Sequence, residues 1–328
     1  GLPDPEGAGV EGLTAPETEH LPDVYDATLV ELGEADPSLV VVDADFYRPS
    51  RATRFRARFP DRFFDATVED PSTIRTAVRL ALEGKTVFAT AFAVLAVGQG
   101  YHDLRQSVCR PRANVKLAAN PDASLPEGER EGDRMVDDLG LLLGLPGMTI
   151  VYPSDGPTTR AATRAIASFR GPAYLRLTHA DVPTVGDADF ELGRARELRP
   201  GSDLTIASAG PILRRALESA EALHRVGIEA RVLDLASLKP FDEKAILRAA
   251  RETGAILTLE DHSVLTGLGT LVAAVTAEEH PVPVRRMGVP DLFVPAPTIP
   301  EAWDRFGLSN DRVLEEAYEL LRARGKVE

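Results

Sequence analysis

Residues Thr67 to Ser72 read Thr-Val-Glu-Asp-Pro-Ser and set two adjacent carboxylates, Glu69 and Asp70, between an apolar strand-like run and an amphipathic helix. Such acids have two uses. Asp70 before Pro71 has the form of a helix N-cap followed by proline at the first helical position, where the missing N–H costs nothing. The other use is acid–base chemistry by one of the two carboxyl groups. Ile74, Ala77, Val78, Ala81 and Leu82 recur at helical spacing behind them, so the helix buries one face. Which use applies depends on what the rest of the chain builds around the pair.

Other reactive side chains form no familiar constellation. The six histidines, at 20, 102, 179, 224, 262 and 280, never fall as a pair on one helical turn, so no protein-built metal site is expected. There is no Gly-x-Ser-x-Gly elbow and no phosphate-cradling Walker loop. "GLGTLV" from Gly267 precedes a helix but lacks the third glycine of a dinucleotide fingerprint. The single cysteine, Cys109, excludes an internal disulfide and reads as a buried small hydrophobe.

The elements that must position the acids alternate along the chain. Helix 23–34, strand "LVVVDAD", helix 71–84, strand "TVFATAF", helix 94–108 and strand "NVKLAA" come first. The polar stretch "NPDASLPEGEREGD" has the length usually kept for functional loops. Helix 134–144, strand "MTIVYP", helix 157–169 and strand "AYLRL" follow. Apolar strands alternating with helices imply an α/β fold with a parallel sheet covered on both faces. Residues 1–21, rich in Gly, Pro and Glu, read as a flexible arm; 22–181 form the first domain and 182–202 a linker. Residues 203–328 form a smaller α/β domain: strand "DLTIASA", helix 211–226, strand "EARVLDL", helix 241–253, strand "AILTLE", helix 267–278 and strand "VPVRRMG".

Composition narrows the surroundings. At 328 residues and 44% hydrophobic, the chain is long enough for two cores. No apolar run approaches the ~20 residues of a membrane span and no signal-peptide pattern opens the sequence, so the expectation is a soluble, cytoplasmic protein. A net charge of −14 argues against nucleic acid and anionic membranes as partners.

Several segments together resemble one family. "VVVDAD", "RFPDRFFD", "LALEGK", "YHDLRQS", "LPGMTIVYPSD", "GPAYLRL", "LKPFDEKAILRAARETGAILTLEDHSVLTGLG" and "RRMGVPDLF" are similar, in colinear order, to the C-terminal half of a transketolase. That half comprises a pyrimidine-binding domain of the thiamine diphosphate-binding fold and a C-terminal α/β domain, and it occurs as a separate subunit in split transketolases. The resemblance implies a thiamine diphosphate cofactor shared with a diphosphate-binding partner subunit, whose Gly-Asp-Gly…Asn motif holds Mg²⁺. That motif is absent from these 328 residues. Self-association as an α2β2 assembly is the implied architecture.

The resemblance also assigns residues. The family's pattern Gly-Ile-Ala-Glu-Gln-Asn carries a glutamate that hydrogen-bonds the pyrimidine N1′ and promotes deprotonation of the thiazolium C2. Ungapped alignment puts Asp70 there, and a one-residue adjustment puts Glu69 there. The task needs an apolar pocket that raises the carboxyl pKa toward neutrality. Phe92 matches an aromatic of the pyrimidine pocket, with ordinary core packing as the alternative; Leu95 stands where a second aromatic is usual. Asp45 matches a family acid after the first strand, where a loop cap is the alternative. In the substrate channel, Pro121 and Asp133 stand at two histidine positions, and His179 replaces an arginine that grips sugar phosphate. Most cationic donors for a phosphate dianion are thereby missing.

The expected function is one subunit of a two-subunit ketol transferase acting on an unphosphorylated or secondary-metabolite substrate. The alternatives are a catalytically silent scaffold subunit and a dehydrogenase or decarboxylase beta-subunit.

Overall fold

A computed structural model describes residues 17–44, 51–66, 72–121, 133–295 and 303–325. The first sheet has seven strands in the order β13-β7-β8-β5-β4-β2-β3. They are β2 (Leu39–Asp43), β3 (Phe63–Asp65), β4 (Thr86–Phe92), β5 (Val115–Asn120), β7 (Thr149–Val151), β8 (Ala173–Arg176) and β13 (Ser237–Lys239). All run parallel except β13, which pairs antiparallel with β7. Because a strand alternates its side chains between faces, Val41, Phe88, Ala118 and Leu175 pack to one side. Val40, Val42, Val87, Ala89, Leu117 and Ala119 pack to the other. Burial on both faces is why these strands read as continuous apolar runs.

Helices α1 (Leu21–Ala35), α2 (Thr53–Arg58) and α6 (Gly156–Ser168) cover the first face. Helix α3 (Ser72–Leu82), the segment around α4 (Tyr101–Asp103) and α5 (Asp138–Leu143) cover the second. The expected helix 94–108 runs in place, but with π-type turns at Val94–Gln99 and Leu104–Cys109 flanking α4. The carboxylate of Asp26 on α1 accepts the backbone N–H groups of Arg54 and Phe55 and so anchors the start of α2. Arg62, from "RFPDRFFD", donates to the carbonyls of Gly33 and Asp36 and closes the end of α1.

The second sheet orders β10-β12-β11-β14-β15, with only β10 antiparallel. Its strands are β10 (Arg196–Arg199), β11 (Leu204–Ser208), β12 (Ala230–Asp234), β14 (Ile256–Ser263) and β15 (Val284–Val289). Helices α8 (Glu243–Thr253) and α9 (Leu268–Glu279) lie on one face; α7 (Leu213–Arg225) and the last helix, Asn310–Arg322, lie on the other. Val272 of α9 and Ile246 of α8 share one apolar core with Leu139, Leu142 and Ile150 of the first domain. The two domains are therefore joined by a continuous hydrophobic seam.

Three short pairings cross the expected boundaries. β1 (Thr18–His20), at the end of the stretch read as an arm, pairs antiparallel with β9 (Asp181–Pro183). β10 arises inside the segment read as a linker. The expected helix 134–144 starts only at Asp138, because β6 (Asp133–Arg134) pairs with β16 (Val294–Pro295) from the second domain. Among the described residues no helix is long and apolar enough to cross a membrane, and no group of three acids, histidines or cysteines is arranged to hold a metal ion.

Candidate active site

Strand β2 has β3 on one side and β4 on the other. The chain leaves β2 through α2 on one face and returns from β3 to β4 through α3 on the opposite face. This reversal is a topological switch point, and in open α/β sheets ligands bind outside the carboxyl ends of the strands at such a place. The carboxyl ends here are Asp43 of β2 and Phe92 of β4, with Ala44 N–H donating to the Thr90 carbonyl between them.

Phe92 is only 4% exposed, and the Arg51 guanidinium carbon stands 5.0 Å from its ring centroid. Arg51 is itself buried and donates to the Ala91 carbonyl at 3.4 Å. Leu95 follows, half-buried, in the first π-type turn. An aromatic ring with an aliphatic neighbour at a switch point fits the flat apolar face of an aminopyrimidine.

The register then carries the edge outward. Phe92 aligns with Asn120 of β5, and Ala119 aligns with Arg176 of β8. Pro121 and His179, one and three residues beyond those strands, therefore share the carboxyl edge with Phe92. Pro121 is buried, and its carbonyl accepts the Met135 N–H at 2.9 Å. That bond brings the ends of the polar loop together, so the backbone of Asp133 in β6 lies close to Pro121 in the fold. His179 is exposed, and its ring stands 5.0 Å from that of His20 at an interplanar angle of 59°. His20 Nδ1 lies 3.4 Å from Asp23 Oδ2. Asp45, Glu69 and Asp70 lie outside the described residues; β2 and β3, which lead to them, end on the same edge.

Behind this edge, at the domain junction, is a buried polar cluster. Arg176 donates from Nε to Asp138 Oδ2 and from Nη1 to Asp261 Oδ1, each at 3.0 Å. Arg134 Nη2 donates to Asp261 Oδ2 at 3.1 Å. Burial raises the Tyr152 phenol, whose hydroxyl meets both Asp261 oxygens at 3.0 and 2.9 Å, while Tyr174 donates to Asp138 at 2.6 Å. Burial also pushes the Glu260 carboxyl up to about 8, although it accepts the Leu268 and Gly269 N–H groups at the start of α9.

A family model described as "Transketolase, pyrimidine binding domain" matches residues 20–184, and one described as "Transketolase, C-terminal domain" matches residues 193–313. The chain belongs to the transketolase family. A "Putative transketolase C-terminal section" from Methanocaldococcus jannaschii is 33% identical over 91% of this chain and 95% of that protein. The "6-deoxy-6-sulfo-D-fructose transketolase subunit SqwH" of Clostridium sp. (strain MSTE9) is 35% identical over 92% and 95%. A transketolase subunit of Phocaeicola vulgatus, named for apulose-4-phosphate, is 33% identical over 90% and 95%. Among solved structures, a "Split gene transketolase, inactive beta4 tetramer" superposes with a TM-score of 0.84 at 38% identity, covering 92% of this chain and 98% of that one. The two-domain α/β fold expected of a transketolase C-terminal half is thus the fold found, and the chain is a transketolase-like transferase subunit of a thiamine diphosphate-dependent family.

Sequence reasoning missed Arg51, His20 and the Arg134–Asp261 contact. "LTLEDHSVL" was visible as a family segment, but nothing in its local pattern marks Asp261 as the partner of an arginine far upstream.

Proposed function

We propose that this chain is the pyrimidine-binding half of a two-subunit, thiamine diphosphate-dependent ketol transferase, completed by a partner that carries the diphosphate motif and holds Mg²⁺. The observation that carries the reading is the Phe92 edge at the β2/β4 switch point in a sequence without a Gly-Asp-Gly…Asn motif. Relatives named as subunits, each covered almost whole, support it. Bound thiamine diphosphate supplies the nucleophilic carbon that accepts and passes on a two-carbon ketol unit. In this chain Phe92 and Leu95 hold one face of the aminopyrimidine and keep water from it. Glu69 or Asp70 holds a proton at the pyrimidine N1′. The family resemblance adds Asp45 to the cofactor-binding set.

We further assign an unphosphorylated acceptor. Pro121 brings no N–H to the channel, and its carbonyl is already committed to Met135. At the third channel position His179 offers an imidazole where a guanidinium would give a fixed charge.

The test is co-expression with a diphosphate-domain subunit, light scattering, and calorimetry with thiamine diphosphate and Mg²⁺. Two copies of each subunit and cofactor binding by the pair alone are expected. Micromolar binding by the isolated chain overturns the half-site reading. A stable pair that binds no cofactor makes this a silent scaffold subunit.

A further inference from the structure

We infer that Asp261 of the second domain is a positioning residue for the substrate channel and acts through Arg134; this rests on the channel reading of Pro121 and Asp133 given above. Arg134 follows Asp133 directly in β6, and its side chain is 3% exposed. Its guanidinium reaches across the junction to Asp261 at 3.1 Å. Met135, the next residue, is tied at both ends. Its N–H donates to the Pro121 carbonyl, and its own carbonyl accepts from Arg176 Nη2 at 3.4 Å.

Charge shows why the second domain is needed. Among the described residues, the first domain buries two guanidinium groups here, Arg134 and Arg176, with the carboxylate of Asp138. The matching carboxylate is Asp261, from β14. Glu260, its neighbour on that strand, does not serve, because it is turned onto the start of α9. His262 adds no further positive charge, because its Nε2 accepts the Gly140 N–H. A buried guanidinium without its carboxylate is strongly unfavourable. Arg134 is thus held against the second domain.

The strand that Arg134 sits in cannot hold itself. β6 has two residues and, among the described residues, pairs only with the two of β16, far below the length at which a strand pair is stable on its own. Its position is set by the side chain of Arg134, by Met135, and by Val136, whose carbonyl accepts the Ser263 N–H at 2.7 Å. Since the Met135 N–H also binds the Pro121 carbonyl, Asp261, acting through Arg134, contributes to where both channel positions stand.

The test uses Arg134→Met, Arg134→Lys and Asp261→Asn, with Pro121→His reporting on the channel reading itself. In the purified chain, amide hydrogen exchange in the peptide covering Arg134 to Val136 should quicken about tenfold in Arg134→Met and Asp261→Asn, while β4 and β11 exchange as in wild type. With the partner subunit, acceptor KM should rise about tenfold while kcat and the thiamine diphosphate Kd stay within about twofold, and Arg134→Lys should recover part of the loss. If Asp261→Asn fails to fold, the Arg134 pair decides. Unchanged exchange or unchanged KM in Arg134→Met overturns the inference, as does a cofactor Kd that worsens in step with KM. If Pro121→His leaves acceptor kinetics untouched, the channel reading itself falls. If Pro121→His moves KM and Arg134→Met does not, only the role of Asp261 is lost.

Discussion

His262 Nε2 lies 3.2 Å from the backbone nitrogen of Gly140 and accepts its N–H across the junction of the two domains. Its Nδ1 faces two acceptors, the carbonyls of Ser263 and Thr266 at 3.2 and 3.3 Å, so the ring carries its proton there and is neutral. Gly140 permits the approach: a Cβ at that position would collide with the Thr266 side chain. Gly140→Ala should therefore part the seam, and a lowered urea midpoint with unchanged far-UV dichroism would show it.

Protonation of His262 must break the Gly140 bond, since a doubly protonated ring has no acceptor. Burial lowers the His262 pKa below its ordinary value, opposed by Asp138 at 3.9 Å, with Glu260 at 3.8 Å on the other side of the ring. A depressed histidine pKa means that the unfolded chain binds more protons than the folded one below about pH 6.5. Stability therefore falls as pH drops through that range. Urea unfolding at pH 7.5 and 5.5 should show a smaller acid loss for His262→Gln, which keeps an acceptor toward Gly140 but cannot charge. An equal loss in both proteins would remove His262 from the account.

Lys116 gives a slope of the same sign at higher pH. It is fully buried on β5, and burial pulls its ammonium down to about 7. Three oxygens receive its hydrogens: Asn114 Oδ1 at 2.8 Å and the carbonyls of Phe169 and Gly171 at 2.5 and 2.6 Å. A folded pKa below the unfolded value of about 10.4 makes stability rise with pH between those two values. The three acceptors favour the charged form, so the rise is smaller than burial alone would give. Lys116→Met should flatten it, and should lower stability at pH 7 by about 1–3 kcal/mol because the carbonyls lose their donor. Denaturant midpoints from pH 7 to 10 are the measurement.

The central strands of both sheets were legible because a strand buried on both faces is an unbroken apolar run, as in "LVVVD" and "TVFATAF". β1, β10 and β13 were not, since each is short and exists only through pairing with a distant segment. The same holds for the site. Phe92 ends a recognisable strand and Pro121 and His179 each follow one, and the parallel register gathers them on one edge. The Arg134–Asp261 contact spans 127 residues and leaves no local period to read. His20, the ring partner of His179, sits at the end of a stretch whose composition resembles a tail.

Phe92 and Leu95 make opposite predictions for cofactor affinity. Phe92→Leu removes the aromatic face and the contact with Arg51, a loss of about 1 kcal/mol or roughly fivefold in Kd. Leu95→Phe restores an aromatic at a half-buried position and should tighten binding by a similar factor. Calorimetry of the assembled pair with thiamine diphosphate decides both. If neither change moves Kd, Phe92 is a core residue and the pocket lies elsewhere on the sheet edge.

Glu69 and Asp70 follow β3, whose Ala66 N–H donates to the Asp43 carbonyl, so the chain leaves β3 at the carboxyl end of β2, beside Phe92. Capping and facing the pyrimidine N1′ are the two roles proposed for this pair, and they differ in what a neutral amide can replace. An N-cap is served by asparagine nearly as well as by aspartate, so substitution there leaves chemistry and stability nearly unchanged. A group that must give and take a proton is not served by an amide at all. In the assembled pair, one of Glu69→Gln and Asp70→Asn should therefore slow exchange of the bound cofactor's C2 proton by about 10²–10⁴-fold, and the other should leave it near the wild-type rate. Nuclear magnetic resonance after rapid quench measures that exchange without any substrate. Equal, small effects from both substitutions would show that neither carboxyl reaches the ring, and would leave the chain as a subunit that shapes the complex without taking part in its chemistry.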